Sequence, residues 1–130
     1  DMKARLAPLT AVNVFDYETQ VKTGRLDRSK VKNHVHPAVR THPETGKKAL
    51  FVNRLMTEEF VGMPEAESDT LLKELCDHAE QPQFVYSHKW TVGDLLLWDN
   101  RCTMHARTDF PPGERRLMRR VGLEGDVPFY

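Results

Sequence analysis

Apolar positions along the chain follow two different periods, and the period predicts the element. Residues 1–18 carry Met2, Leu6, Val12 and Phe15 at spacings that suit one face of an amphipathic helix, broken at Pro8. Glu18 to Asn33, ETQVKTGRLDRSKVKN, is rich in Lys and Arg and nearly free of large apolar side chains. It predicts a mobile loop over 18–34, either a solvated linker or a lid over a site. Val39 to His42 predicts a short extended piece, PETG a turn, and Ala49 to Asn53 a second strand, together a hairpin. MTEEFVGM predicts one helical turn near the surface.

The helical period is clearest next. In PEAESDTLLKELCDHAEQP, Leu71, Leu72, Leu75, Cys76 and Ala79 fall on one face, Ser68 suits the N-cap, and Pro82 marks the end. Beyond it the period shortens. QFVYSHKW predicts a strand, TVGD a turn, LLLWD a short buried strand, DFPPGE a turn and RRLMRRVGLEG a final long strand. The expected fold class is mainly β with packed helices, in one domain.

Charge narrows the function classes. Nineteen basic and nineteen acidic residues cancel, which argues against a nucleic-acid binder. No apolar run is long enough for a membrane span, and no signal peptide is visible. Cys76 and Cys102 stand far apart without a CxxC spacing, so a reducing, cytoplasmic setting is the expectation. The chain opens on DMKARL, without an initiator Met, which reads as the tail of a helix and predicts a piece of a longer protein.

Four arginines in the last predicted strand are the main chemical feature. Alternation puts Arg116 and Arg120 on one face with Met118, and Arg115 and Arg119 on the other. Arg116 and Arg120 would lie ~13 Å apart along a strand, far enough to grip two anions or two ends of a composite site. A guanidinium holds a carboxylate bidentately, so an inward face predicts acidic ligands. The bland alternative is a solvated or interfacial strand with surface ion pairs. Among the six histidines, His34 and His36 would share one side of a strand. His78 and Glu80 formally make a His-x-carboxylate pair, but on a helix two residues diverge by about 200°. His88 is a default packed or surface histidine. His105 precedes the turn that returns as the arginine strand, so His105 and Arg116 could face one cavity.

HPAVRTHPETGKKALFVN, followed by GDLLLWDNRCTMHARTDFPPGERRLMRRVGLEGDVPFY, resembles the C-terminal half of the taurine dioxygenase family, iron(II)- and 2-oxoglutarate-dependent oxygenases that include enzymes acting on 2,4-dichlorophenoxyacetate. The resemblance runs from about His36 onward. It implies the C-terminal part of a double-stranded β-helix (jelly roll), with residues 1–130 one portion of a single oxygenase domain. It implies Fe(II), 2-oxoglutarate and O2 as cofactor and cosubstrates, His105 as the distal iron ligand, Arg116 on the far carboxylate of 2-oxoglutarate, and Arg120 on the anionic head of the substrate. Met56 falls where the taurine enzyme has a pocket Phe, which points away from taurine to another apolar-bodied anion. Trp98, Asp99 and Asn100 match the motif before the histidine and are read as packing and turn residues, with no catalytic residue assigned.

The implied reaction hydroxylates a small sulfonate or carboxylate with release of succinate and CO2. A two-His, one-carboxylate face leaves three iron positions open for cosubstrate and O2. The family's upstream His-x-Asp pair is not in these residues, nor is its cosubstrate-binding Thr. The expectation is therefore a chain that supplies one iron ligand of three and is inactive alone, within an oxygenase as parent. The alternative from another class is a non-catalytic β-rich module that binds a carboxylate or a protein partner through its arginine strand. A homo-oligomer is expected from the sheet edge a missing half-barrel would expose.

Overall fold

The computed structural model describes residues 1–15, 24–125 and 127–130. Among them are two α-helices and five strands: α1 (Met2–Leu6), β1 (Thr10–Phe15), β2 (Lys32–Pro37), β3 (Val39–Thr41), β4 (Lys48–Leu50), β5 (Thr57–Phe60) and α2 (Glu65–Ala79). β2, β1 and β5 form an antiparallel sheet in that order, and β3 and β4 form a separate antiparallel hairpin. No helix among the described residues is long and apolar enough to cross a membrane.

The helix expected over 1–18 is only five residues long. Asp1 caps it through its carboxylate, which accepts from the Lys3 amide at 3.1 Å, and it closes before Pro8. The TAVNVF run that follows has β-branched valines and becomes the central strand, buried from Ala11 to Val14. Packing on both sides of a sheet overrides the helical spacing read from the sequence. Residues 16–18 of that expected helix lie outside the described residues, as does the first part of the expected loop. The described part of the loop is shorter than predicted, because β2 begins at Lys32 and pairs His34 with Asn13 and Val35 with Val12.

MTEEFVGM is not a helical turn. Thr57–Phe60 forms β5, which pairs Ala11 with Phe60 and Asn13 with Thr57 across a bulge at Val12/Asn13. Two bonds, one of them buried, hold this end of the ladder: Thr57 Oγ1 donates to Asn13 Oδ1 at 2.8 Å, and the Asn53 amide donates to Thr57 Oγ1 at 3.0 Å. The buried Glu58 carboxylate accepts from the Leu26 amide at 2.8 Å and from Arg28 Nε at 3.2 Å. Glu58 and Glu59 look like helix formers in sequence, but partners from residues 25–28 let them sit in a strand.

α2 presents the predicted face. Leu71, Leu75 and Cys76 are buried and Leu72 is half-buried; Leu71 and Leu75 join Leu6, Ala11, Ala38, Val52 and Phe60 in the core, with Leu72 packed against it. Its start differs from expectation. Pro64 is the N-cap, Ser68 lies inside the helix, and Ser68 Oγ accepts from the Phe60 amide at 2.9 Å. Ser68 is thus a tie between helix and sheet. The helix ends at Ala79, and Pro82 opens a short 3-10 turn over Pro82–Phe84.

The hairpin forms as read, pairing Val39 with Leu50 and Thr41 with Lys48, though β4 starts one residue earlier than predicted and ends at Leu50. Gly46 closes its turn at φ +68, in the left-handed region that favours glycine. Beyond Phe84 the predicted turns appear, with Asp94 N bonded to Thr91 O and Glu114 N to Pro111 O at 3.2 Å each. The strands predicted over QFVYSHKW, LLLWD and RRLMRRVGLEG do not: residues 85–125 contain no strand. Leu95, Leu97, Val121 and Leu123 stand 89–94% exposed. Alternation makes a strand only when a neighbouring strand satisfies its ladder, and none among the described residues pairs with these segments. The C-terminal residues return to the hairpin, where the Thr41 amide donates to Phe129 O at 2.7 Å and Lys48 Nζ lies 3.5 Å from the Tyr130 ring centre.

Candidate active site

Trp98 is the centre of the cluster that carries the predicted chemistry. Its indole meets the His105 imidazole with ring centres 5.2 Å apart, tilted by 53°. The Arg120 guanidinium carbon lies 5.9 Å from the same indole. An electron-rich indole face attracts a cation, so one side chain supports both predicted site residues. Arg116 rests instead on Phe110, at 5.8 Å, and Arg107 approaches the same ring at 5.4 Å. Neither Arg116 nor Arg120 pairs with a carboxylate among the described residues, and both are exposed. Arg115 and Arg119 are exposed as well, so the expected split into two strand faces has no ladder to define it.

His105 is exposed, and its imidazole makes no hydrogen bond among the described residues. Open ring nitrogens suit a metal ligand, so His105 fits the single position the resemblance gives it. Met56 belongs to the sheet: half-buried just ahead of β5, it donates its amide to Asn53 Oδ1 at 2.8 Å, and its carbonyl accepts from the Val14 amide at 2.8 Å. The structure therefore joins His105 and Arg120 through Trp98, places Arg116 on Phe110, and puts Met56 at the β1–β5 junction.

The other histidines are accounted for by packing or hydrogen bonds. His34 and His36 lie on one side of β2 with ring centres 6.0 Å apart, and His36 packs edge-on against Phe51 at 5.6 Å. Burial first, then the positive charges of His34 and Arg40, lower the pKa of His36 below its usual value. His78 packs on Phe84, while Glu80 accepts from Arg54 Nε at 2.9 Å, so the formal His-x-carboxylate pair serves different contacts. His88 bonds Asp94 Oδ2 at 3.1 Å and meets Trp90 edge-on at 4.7 Å.

Among the described residues, His42, Asp99 and Cys102 form a group of three that brings ligand atoms within 4.8 Å of one another. Its bonding already accounts for the donors. His42 Nδ1 accepts from the Glu44 and Thr45 amides at 3.3 Å each, which assigns the ring proton to Nε2, and Nε2 donates to Asp99 Oδ2 at 2.9 Å. Arg101 grips the Asp99 carboxylate from its side chain and main chain at 2.8–3.2 Å. Arg101 first, then His42, hold the Asp99 carboxyl well below the usual carboxylate range. Lys47 and Lys48 line the adjoining cleft with His42 and Cys102. A cation entering here would break an existing ion pair beside two further positive charges, so the group is an internal hydrogen-bond network.

The sequence missed this network, and it missed Trp98 as a platform. A Trp seven residues before the histidine is a spacing signal, but nothing in the sequence pairs His42 with Asp99, 57 positions away.

A family model described as "Taurine catabolism dioxygenase TauD, TfdA family" matches residues 1–121. The chain is 35% identical over 137 aligned positions to an (S)-phenoxypropionate/alpha-ketoglutarate-dioxygenase of Sphingobium herbicidovorans, covering 97% of this chain and 47% of that protein. It is 46% identical over 89 residues to an alpha-ketoglutarate-dependent 2,4-dichlorophenoxyacetate dioxygenase of Burkholderia sp., covering 68% of this chain and 30% of the relative. Among solved structures it is similar to AAD-2 in complex with Mn(II) and N-oxalylglycine, with TM-score 0.59 and 31% identity over 69% of this chain and 37% of that one. The chain thus spans less than half the length of these relatives.

Proposed function

This chain belongs to the taurine catabolism dioxygenase TauD, TfdA family, a family of alpha-ketoglutarate-dependent dioxygenases, and from that membership we propose that it is the C-terminal portion of a jelly-roll oxygenase domain. The parent protein, in this reading, hydroxylates a small sulfonate or carboxylate, using O2 and converting 2-oxoglutarate to succinate and CO2. The observation that carries the reading is the shared indole: His105, with open nitrogens, and Arg120, without a carboxylate partner among the described residues, meet on Trp98. Relatives whose names include phenoxypropionate, 2,4-dichlorophenoxyacetate and sulfonate supply the substrate class.

Each residue has a separate part. His105 would hold iron(II) through a ring nitrogen as one of three protein ligands, and the other two would come from the rest of the parent protein. Iron(II), when bound, supplies the activation of O2 that protein side chains cannot. Arg116 pairs with the far carboxylate of 2-oxoglutarate, and Arg120 with the anionic head of the substrate, each through a planar fork suited to two oxygens. Met56 lines the apolar part of the pocket. Trp98 holds His105 and the Arg120 guanidinium at one surface, which fixes the substrate's anionic head relative to the metal.

Steady-state kinetics of the full-length protein test the division. Arg116→Ala should raise KM for 2-oxoglutarate about tenfold to a hundredfold, and Arg120→Ala should do the same for the substrate, from the loss of a charge-assisted pair worth about 1.5–3 kcal/mol. An Arg116→Ala protein altered only in substrate KM means the two roles are exchanged.

A further inference from the structure

A knot of polar side chains outside the Trp98 cluster ties the β3–β4 hairpin to the segment leading to His105. His42 stands at the end of β3 and Glu44 in the hairpin turn. Asp99 and Arg101 stand 57 residues further on from each. His42 Nε2 donates to Asp99 Oδ2 at 2.9 Å, and Arg101 Nη1 donates to Glu44 Oε1 at 3.0 Å. Between these crossings Arg101 clamps Asp99 through Nε at 3.0 Å and Nη2 at 2.8 Å. The main chain is fastened at the same point: Thr103 Oγ1 donates to Asp99 O at 2.6 Å, and the Arg101 amide donates to Asp99 Oδ1 at 2.8 Å.

This clasp matters because of its neighbour in sequence. Asp99 directly follows Trp98, the indole that meets both His105 and Arg120. Residues 85–125 hold no strand or helix, so side-chain ties rather than a backbone ladder locate Trp98 here. The hairpin supplies the fixed end of the tie. His42 is buried and cannot turn away without giving up the Glu44 and Thr45 amides that its Nδ1 accepts.

We infer that His42 is a positioning residue for the metal ligand: its bond to Asp99 sets the place of Trp98, and through the indole the orientation of His105. The inference rests on His105 being an iron ligand, as proposed above. The two nitrogens of His42 make it separable from a simple role in the turn. Asparagine carries an oxygen near the Nδ1 position and can still cap the turn, but it cannot reach Asp99. Glutamine carries an amide nitrogen near the Nε2 position and can still donate to Asp99.

The test measures Mn(II) binding to the full-length protein by calorimetric titration, with thermal melting of every variant. His42→Asn should weaken Mn(II) binding about tenfold or more, the scale expected when a partner that orients a metal ligand is removed. His42→Gln should stay within about threefold of the wild type. Unchanged binding in His42→Asn overturns the inference, and so does equal weakening in both variants, which would assign the effect to the turn. If His42→Asn does not fold, Asp99→Ala, which removes the acceptor of the His42 bond, replaces it, with the same weakening expected and unchanged binding again overturning the inference. His105→Ala separates the two readings. If it binds Mn(II) as the wild type does, the ligand assignment fails. If it loses binding while His42→Asn does not, only the positioning role fails.

Discussion

Replacing Ser68 with alanine isolates one buried hydrogen bond and asks what this serine is for. Ser68 is 0% exposed and Phe60 is 1% exposed, and the Phe60 amide donates to Ser68 Oγ at 2.9 Å. Alanine keeps Cβ and leaves the α2–β5 packing nearly intact, but the Phe60 N–H then has neither a protein acceptor nor access to water. A buried unsatisfied donor costs about 1–3 kcal/mol, which lowers the folded-to-unfolded ratio by about 5-fold to 150-fold. Chemical denaturation gives the size of the effect, and amide hydrogen exchange gives its place. Protection should fall at Phe60 and persist at Thr70 and Leu71, because α2 begins at Glu65 behind its N-cap Pro64, whose carbonyl already accepts from the Ser68 amide at 2.9 Å. If protection instead falls at Thr70 and Leu71 while Phe60 is unchanged, Ser68 caps the helix and the tie to the sheet is wrong.

Two further outcomes follow from the core and from β2. Leu71→Ala should destabilise the fold by about 2–5 kcal/mol in urea unfolding, because the side chain is 1% exposed in the core against Phe60 and Leu75, and a loss below about 1 kcal/mol would mean that this core is loosely packed. The lowered pKa of His36 implies that an unfolded chain takes up a proton near 6.5 while the folded imidazole stays neutral to lower pH. Stability is therefore fully present above about pH 6.5 and declines as pH falls from there to the folded pKa. Melting between about pH 7.5 and 5.5 should show this slope, and His36→Phe should flatten it; an equal slope in both proteins would contradict the assignment.

Where local rules and tertiary packing agree, the sequence is a good guide. The hairpin around Gly46 needs a positive φ, and the turn residues around it announce that need. The buried face of α2 follows from the spacing of Leu71, Leu75 and Cys76. The misread elements are those whose state is decided by distant partners. Thr10–Phe15 is a strand because β2 and β5 flank it, and Thr57–Phe60 is one because Arg28 and the Leu26 amide meet Glu58. The apolar run at 95–99 and the alternating positions at 115–125 can be read in sequence, yet no strand pairs with them among the described residues, and 115–125 is exposed chain. The same division holds at the candidate site. His105, Arg116 and Arg120 stand in a linear motif that can be read. The bond between His42 and Asp99 joins two motifs 57 residues apart, and periodicity carries no information about it.

The most direct measurement of the central claim is succinate formation from 2-oxoglutarate by the full-length protein, supplied with iron(II) and a panel of sulfonates and aryloxycarboxylates, for wild type and His105→Ala. Wild type should release one succinate per hydroxylated substrate, and His105→Ala should lose this turnover while melting at an unchanged temperature. Equal turnover in His105→Ala and wild type would contradict that claim, because the one iron ligand assigned to this chain would then have no part in the reaction.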